Sequence, residues 1–180
     1  AHFIGNPQSP GQPPAGMESV ITTCGYDDFK WHKAEDVEEA SKVVKKLPKG
    51  SIAVIDDFSG ISRHTVRKAK KRFRNGYDIW DHVLNMAIDL TEKDASHLML
   101  LVLNCWGVGP KHDEKTGTIR PAGPKLVGQL LEEVPARCQL VMEAVYQPMR
   151  KSWPWSYKVD PHPRTITKDR FNIVTKISPA

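Results

Sequence analysis

No apolar run in this chain approaches the ~20 residues that a membrane-spanning helix needs, and the N-terminus carries no signal-peptide pattern. Membrane partners are therefore not expected. Cysteine is scarce. Cys24, Cys105 and Cys138 are odd in number, widely spaced and form no Cys-x-x-Cys pair. That supports neither a disulfide framework nor a zinc site, and it points to a reducing, cytoplasmic compartment. The seven histidines are scattered without ligand spacing and define no metal site. Acidic residues are absent from one stretch: none lies between Arg63 and Arg74, where Arg63, Arg67, Lys68, Lys70, Lys71, Arg72 and Arg74 cluster.

A chain of 180 residues makes one domain, or one domain with an extension, and is long enough to bury a core. Its formal charge of +5 matters less than the clustering of that charge. A basic run of this kind suits a polyanion, most simply nucleic acid. It is equally compatible with a solvated cationic helix face.

Residues 1–16 are rich in Pro, Gly, Gln and Asn and read as a flexible arm ahead of a core over 17–180. Met17 to Thr23 can supply a short strand. From Lys33 to Leu47, apolar Val37, Ala40, Val43, Val44 and Leu47 recur at helical spacing, and Pro48-Lys49-Gly50 ends the helix. After the basic stretch and the Asn75-Gly76 break, Asp78 can cap a helix reaching about Glu92. Leu98 to Leu103 is a continuous apolar strand. A long loop over Gly107 to Pro121 follows, then a helix over Pro124 to Glu133. Gln139 to Val145, Ser156 to Val159 and Phe171 to Thr175 read as strands. Helices alternating with buried strands first, and strands alone last, predict an α/β sheet with an antiparallel C-terminal extension.

The most informative segment is Ser51-Ile52-Ala53-Val54-Ile55-Asp56-Asp57. Four apolar residues between Gly50 and two acids read as an interior strand. Such strands deliver their carboxyl-terminal residues to the ligand crevice of an open α/β sheet. In nucleotide-binding proteins an Asp placed there holds the Mg²⁺ that bridges the phosphates. The alternative is a core strand ending at an ordinary acidic turn.

In order, the segments resemble the RecA-like ATPase core, specifically the small phage-encoded AAA-domain ATPases of recombination and single-strand annealing. The likeness runs from about Ala34 to Val174. Ile52 to Phe58 stand as the Walker B strand, Trp80-Asp81-His82-Val83 open the next helix, and Leu100 to Asn104 form the neighbouring strand. Asp113 to Gly117, Pro121 to Lys125 and Lys168 to Asn172 complete it. The resemblance implies a RecA-like P-loop NTPase core with central parallel strands flanked by helices. It also implies ATP and Mg²⁺ as cofactors, single-stranded DNA as partner, and a homo-oligomeric ring or filament in the cytoplasm of a host cell. Asp56 would hold Mg²⁺ through water, with Asp57 beside it. Asn104 would sense the terminal phosphate, and Lys168 and Arg170 would reach a neighbouring subunit's phosphates. The basic stretch Arg63 to Arg74 and the loop Trp106 to Lys125, with Lys111 and Lys115, would face DNA. One departure is serious: the chain contains no Gly-x-x-x-x-Gly-Lys-Ser/Thr, so the loop that cradles phosphates is missing. ATP hydrolysis is expected only if a longer chain supplies that loop.

Two rivals belong to other classes. Gly60-Ile61-Ser62-Arg63-His64-Thr65-Val66-Arg67-Lys68 is similar to the turn and recognition helix of a helix-turn-helix DNA binder. It would place Asp56 unpaired at a helix crossing, at several kcal/mol. A non-catalytic structural or assembly protein of a phage particle is the other, with Trp153-Pro154-Trp155 as an interface anchor.

Overall fold

The structure is a computed structural model and describes residues 1–5, 30–112, 114, 117–146, 155–159 and 165–170. The chain divides into two compact units, Ala1–Trp106 with Leu126–Leu130, and Gly107–Lys125 with Leu131–Ala180. The arrangement is mixed α/β. The first unit holds a parallel sheet and the second antiparallel strand pairs.

In the first unit, strands β1 (His2–Gly5), β2 (Lys30–Lys33), β3 (Ile52–Ile55) and β4 (Leu100–Leu103) form a sheet of order β2-β1-β3-β4. All its pairings are parallel. Phe3 lies opposite Trp31 and Val54, and Val54 opposite Val102. The run Ile52–Ile55 is an interior strand, as its composition predicts, and β4 is its adjacent parallel neighbour. However, among the described residues β4 is an edge strand of this sheet and not a central one. Leu100 is 50% and Val102 37% exposed, on the face they share by register with Ile52 and Val54. Continuous apolarity makes a strand tolerant of cover on both faces, but it does not set its place in the strand order. His2–Gly5, within the stretch read as an arm, instead form β1, paired on both sides, with Ile4 fully buried. The remainder of 1–16 and the strand read at Met17 to Thr23 lie outside the described residues.

Helix α1 (Val37–Val44) buries Val37, Ala40 and Val44, the positions its spacing predicts. Asp36 caps it by accepting from the Glu39 amide at 2.8 Å. Gly50, at φ 78°, makes the turn into β3 that a side chain would strain. Helix α2 (Phe58–Arg72) follows β3 directly. Its inner face is Phe58, Ser59, Ile61, Ser62, Thr65, Val66 and Ala69. Of its buried hydroxyls, Thr65 both donates to the Ile61 carbonyl and accepts from the Val37 amide, at 2.9 Å each, which ties α2 to the start of α1. Gly60 lies in the first turn of α2, and Asp56 at a strand end. The two-helix geometry of a helix-turn-helix is therefore not present here. Helix α3 (Gly76–Ile88) is capped by Asn75, which accepts from the Tyr77 amide, while Asp78 sits in its first turn and is not the cap. A π-helical segment, Asp89–Asp94, continues α3 and buries Leu90.

In the second unit, β5 (Gly107–Val108) pairs with β8 (Gly123–Pro124), and β6 (Lys111–His112) with β7 (Ile119–Arg120). The stretch read as a loop is thus a narrow antiparallel ribbon. Helix α4 (Leu130–Arg137) begins later than Pro124, because that residue belongs to β8. Strands β9 (Leu140–Val141) and β12 (Lys168–Asp169) pair antiparallel, as do β10 (Glu143–Tyr146) and β11 (Trp155–Lys158). The antiparallel C-terminal character is thereby present. Phe171 to Thr175 and Trp153-Pro154 lie outside the described residues. Among the described residues, no helix is long and apolar enough to cross a membrane.

Candidate functional site

The parallel strands β3 and β4 end side by side, so the residues after them meet. The Asp56 amide donates to the Ile4 carbonyl at 2.9 Å, the Asn104 amide to Ile55 at 2.9 Å, and the Phe58 amide to Asn104 at 2.8 Å. With both turns pinned, the Asn104 side-chain amide donates to Asp56 Oδ1 at 2.7 Å. Burial pushes the Asp56 carboxyl above the usual aspartate range; the Asn104 hydrogen bond opposes this and the Asp57 carboxylate adds to it. Asp56 and Asp57 thus place two acidic side chains next to each other at this strand end, with the charged form of Asp56 disfavoured.

A second cross-link runs parallel to the first. Trp106 donates its indole N–H to Asp57 Oδ2 at 2.7 Å, and its backbone N–H to Ser59 Oγ at 3.1 Å. Among the described residues, Asp57 Oδ1 is buried and meets no hydrogen-bond partner. Gly60 leaves room for this carboxylate, since a Cβ there would lie 2.9 Å from Asp57 Oδ2. Beside it, Glu35, Asp57, Gly60, Ile61 and His64 line a cleft of about 250 Å³. Among the described residues, no group of three or more His, Cys, Asp or Glu could hold a metal ion.

The basic stretch is the outer face of α2. Arg63, Arg67, Lys70 and Lys71 recur at i, i+4, i+7 and i+8, forming one exposed stripe, and Arg74 is exposed just beyond the helix. No ion pair engages these five among the described residues. Lys68 differs. Its ammonium pairs with the buried Asp36 carboxylate and lies 3.6 Å from Glu39, so it ties α2 to α1 and is not free for a phosphate. Arg72 lies over the Phe73 ring, 5.4 Å from its centroid.

The other expected site residues belong to the second unit. Lys111 is exposed on the ribbon, opposite Arg120; Lys115 lies outside the described residues. Lys168 donates to the Pro135 and Ala136 carbonyls at 3.1 and 2.8 Å, and Arg170 to Ala136 at 3.3 Å. Both cations thus satisfy carbonyls near the end of α4, a local role that their spacing in sequence did not suggest. Ser59, Gly60 and Trp106 are the site residues that motif reasoning overlooked in this connection. A glycine three positions after a carboxylate was the one signal available. No family model matches the chain, and no curated protein sequence matches it.

Proposed function

We propose that this chain is a nucleotide- and DNA-binding protein on a RecA-like core, serving phage recombination or replication. The observation that carries the proposal is the Asp56–Asn104 hydrogen bond across the carboxyl ends of two adjacent parallel strands. Ligands of open α/β sheets bind at this end. In such a site Asp56 accepts hydrogen bonds from the water shell of Mg²⁺, while Asn104 keeps that carboxylate oriented and offers its amide to a terminal phosphate. Mg²⁺ supplies charge neutralisation of the phosphates when bound. The α2 stripe provides the polyanion contact, single-stranded DNA being the expected partner. Backbone amides arranged to hold the remaining phosphates have no counterpart in the sequence, so nucleotide binding by this chain is weak and turnover negligible.

Isothermal titration with Mg-ATP tests this. Weak, Mg²⁺-dependent binding is expected, reduced about tenfold or more in Asp56→Asn, because a hydrogen bond to a charged group is worth about 1.5–3 kcal/mol. Binding that ignores both Mg²⁺ and this substitution would remove the basis for the proposal. A second reading, a non-catalytic assembly protein, is favoured by Met99 and Leu100, 68% and 50% exposed at a strand that borders the sheet among the described residues. Light scattering that shows assembly without any nucleotide or DNA affinity would put it first.

A further inference from the structure

Trp106 is 65% exposed, yet both of its N–H groups are committed to fixed acceptors. An exposed tryptophan ordinarily turns about its side-chain bonds and loses that freedom when it binds a partner. Here the indole N–H is held by Asp57 and the backbone N–H by Ser59, one on the turn after β3 and the other in the first turn of α2. The ring plane is therefore set before any ligand arrives, while the residue stays largely exposed among the described residues. The acceptor on the indole is a carboxylate, and an N–H···O⁻ bond shifts electron density into the ring, which favours electron-poor planar partners. The Asp57–Trp106 and Asp56–Asn104 cross-links join the same two strand ends, one residue apart on the β3 side and two apart on the β4 side.

Resting on the nucleotide reading above, we infer that Trp106 is a preorganised stacking platform for the base of a nucleotide whose metal-complexed phosphates sit at Asp56 and Asn104. Charge selects this ligand over others. Asp56 and Asp57 repel a bare phosphate chain, so a base arriving with Mg²⁺ on its phosphates is favoured over a naked strand of DNA. An apolar protein segment would gain nothing from the two carboxylates. Asp57 is a positioning residue: it holds the indole and does not touch the base.

The test compares Mg-ATP, Mg-tripolyphosphate, which has the phosphates without a base, and a single-stranded oligonucleotide, each titrated into the full chain. The variants are parent, Trp106→Ala, Trp106→Phe and Asp57→Asn. The parent should bind Mg-ATP about 5- to 150-fold tighter than Mg-tripolyphosphate, the range expected for stacking one base on an aromatic ring. Trp106→Ala should erase that preference and leave tripolyphosphate affinity unchanged. Trp106→Phe, which keeps a ring but loses the indole hydrogen bond, should retain part of it, and Asp57→Asn, which keeps an acceptor, most of it. Equal affinity of the parent for the two ligands, or a preference that survives Trp106→Ala, overturns the platform and leaves the phosphate site standing. Loss of oligonucleotide affinity alone in Trp106→Ala assigns the ring to DNA and overturns the inference as well. No binding of either phosphate ligand by the parent overturns both the platform and the nucleotide reading.

Discussion

Replacing Arg63, Arg67, Lys70 and Lys71 together by Ala probes the α2 stripe directly, and the structure sets how large the effect must be. Arg63, Arg67, Lys70, Lys71 and Arg74 have no ion-pair partner among the described residues, whereas Lys68 is held by Asp36. Five free cations contacting single-stranded DNA give a log-affinity slope against log salt of about −3.5, at about 0.7 per contact. Raising salt from about 50 to about 200 mM should then weaken the parent roughly 100-fold. The quadruple variant keeps Arg74, so its slope falls to about −0.7 and the same salt change costs it only about threefold. Lys68→Ala is the internal control: its slope should match the parent's, because that ammonium is already neutralised. Fluorescence anisotropy with a labelled oligonucleotide at several salt concentrations reads all three. The substitutions also relieve like-charge neighbours on the helix, Arg63 with Arg67 and Arg67 with Lys70 and Lys71, each worth about 0.2–0.5 kcal/mol. Stability should therefore stay within about 1 kcal/mol of the parent, and a lost slope cannot be blamed on unfolding. A variant slope equal to the parent's would make the stripe a solvated surface. A slope lowered by Lys68→Ala would refute the pairing with Asp36.

Asp36→Ala removes the cap of α1 and strands Lys68, which is half exposed and so contributes toward the low end. A loss of about 1.5–3 kcal/mol is expected in urea unfolding, with Asp36→Asn recovering the share due to the cap. Asp56→Asn should leave the ligand-free protein as stable as the parent or slightly more so, since burial and then Asp57 disfavour the charged form and an Asn carbonyl still accepts from Asn104. A fall of more than about 1 kcal/mol would contradict that electrostatic account. His2 and His32 meet across β1 and β2, Nδ1 to Nε2 at 3.1 Å, and burial, followed by neighbouring positive charge, lowers both pKa values. The folded state thus binds fewer protons than the unfolded one below about pH 6.5, so stability should decline as pH falls from there. Thermal melts at pH 7.5 and 5.5 should show a smaller decline for His32→Asn than for the parent.

Local pattern made much of the first unit legible. Ile52–Ile55 lies between a turn glycine and two acids, so its strand and the placing of Asp56 at its carboxyl end follow from neighbours in sequence. The apolar spacing in Val37, Ala40 and Val44, and in Val83 and Ala87, likewise specifies buried helix faces whatever they pack against. The run of cations from Arg63 to Arg74 needed only composition to be noticed. What tertiary structure alone decided is which groups meet. His2–Gly5 is a strand because Lys30–Lys33 and Ala53–Ile55 pair with it; four residues beside a Pro- and Gly-rich stretch carry no such information. In sequence Lys68 is one more cation of that run, and its pairing with Asp36, 32 residues away, exists only in the folded chain. Trp106 and Asp57 stand 49 residues apart, and their hydrogen bond exists because β3 and β4 end in register. Periodicity records the burial that a residue's own element demands, whereas the pairing of a charge or an indole depends on contacts that only the closed sheet creates.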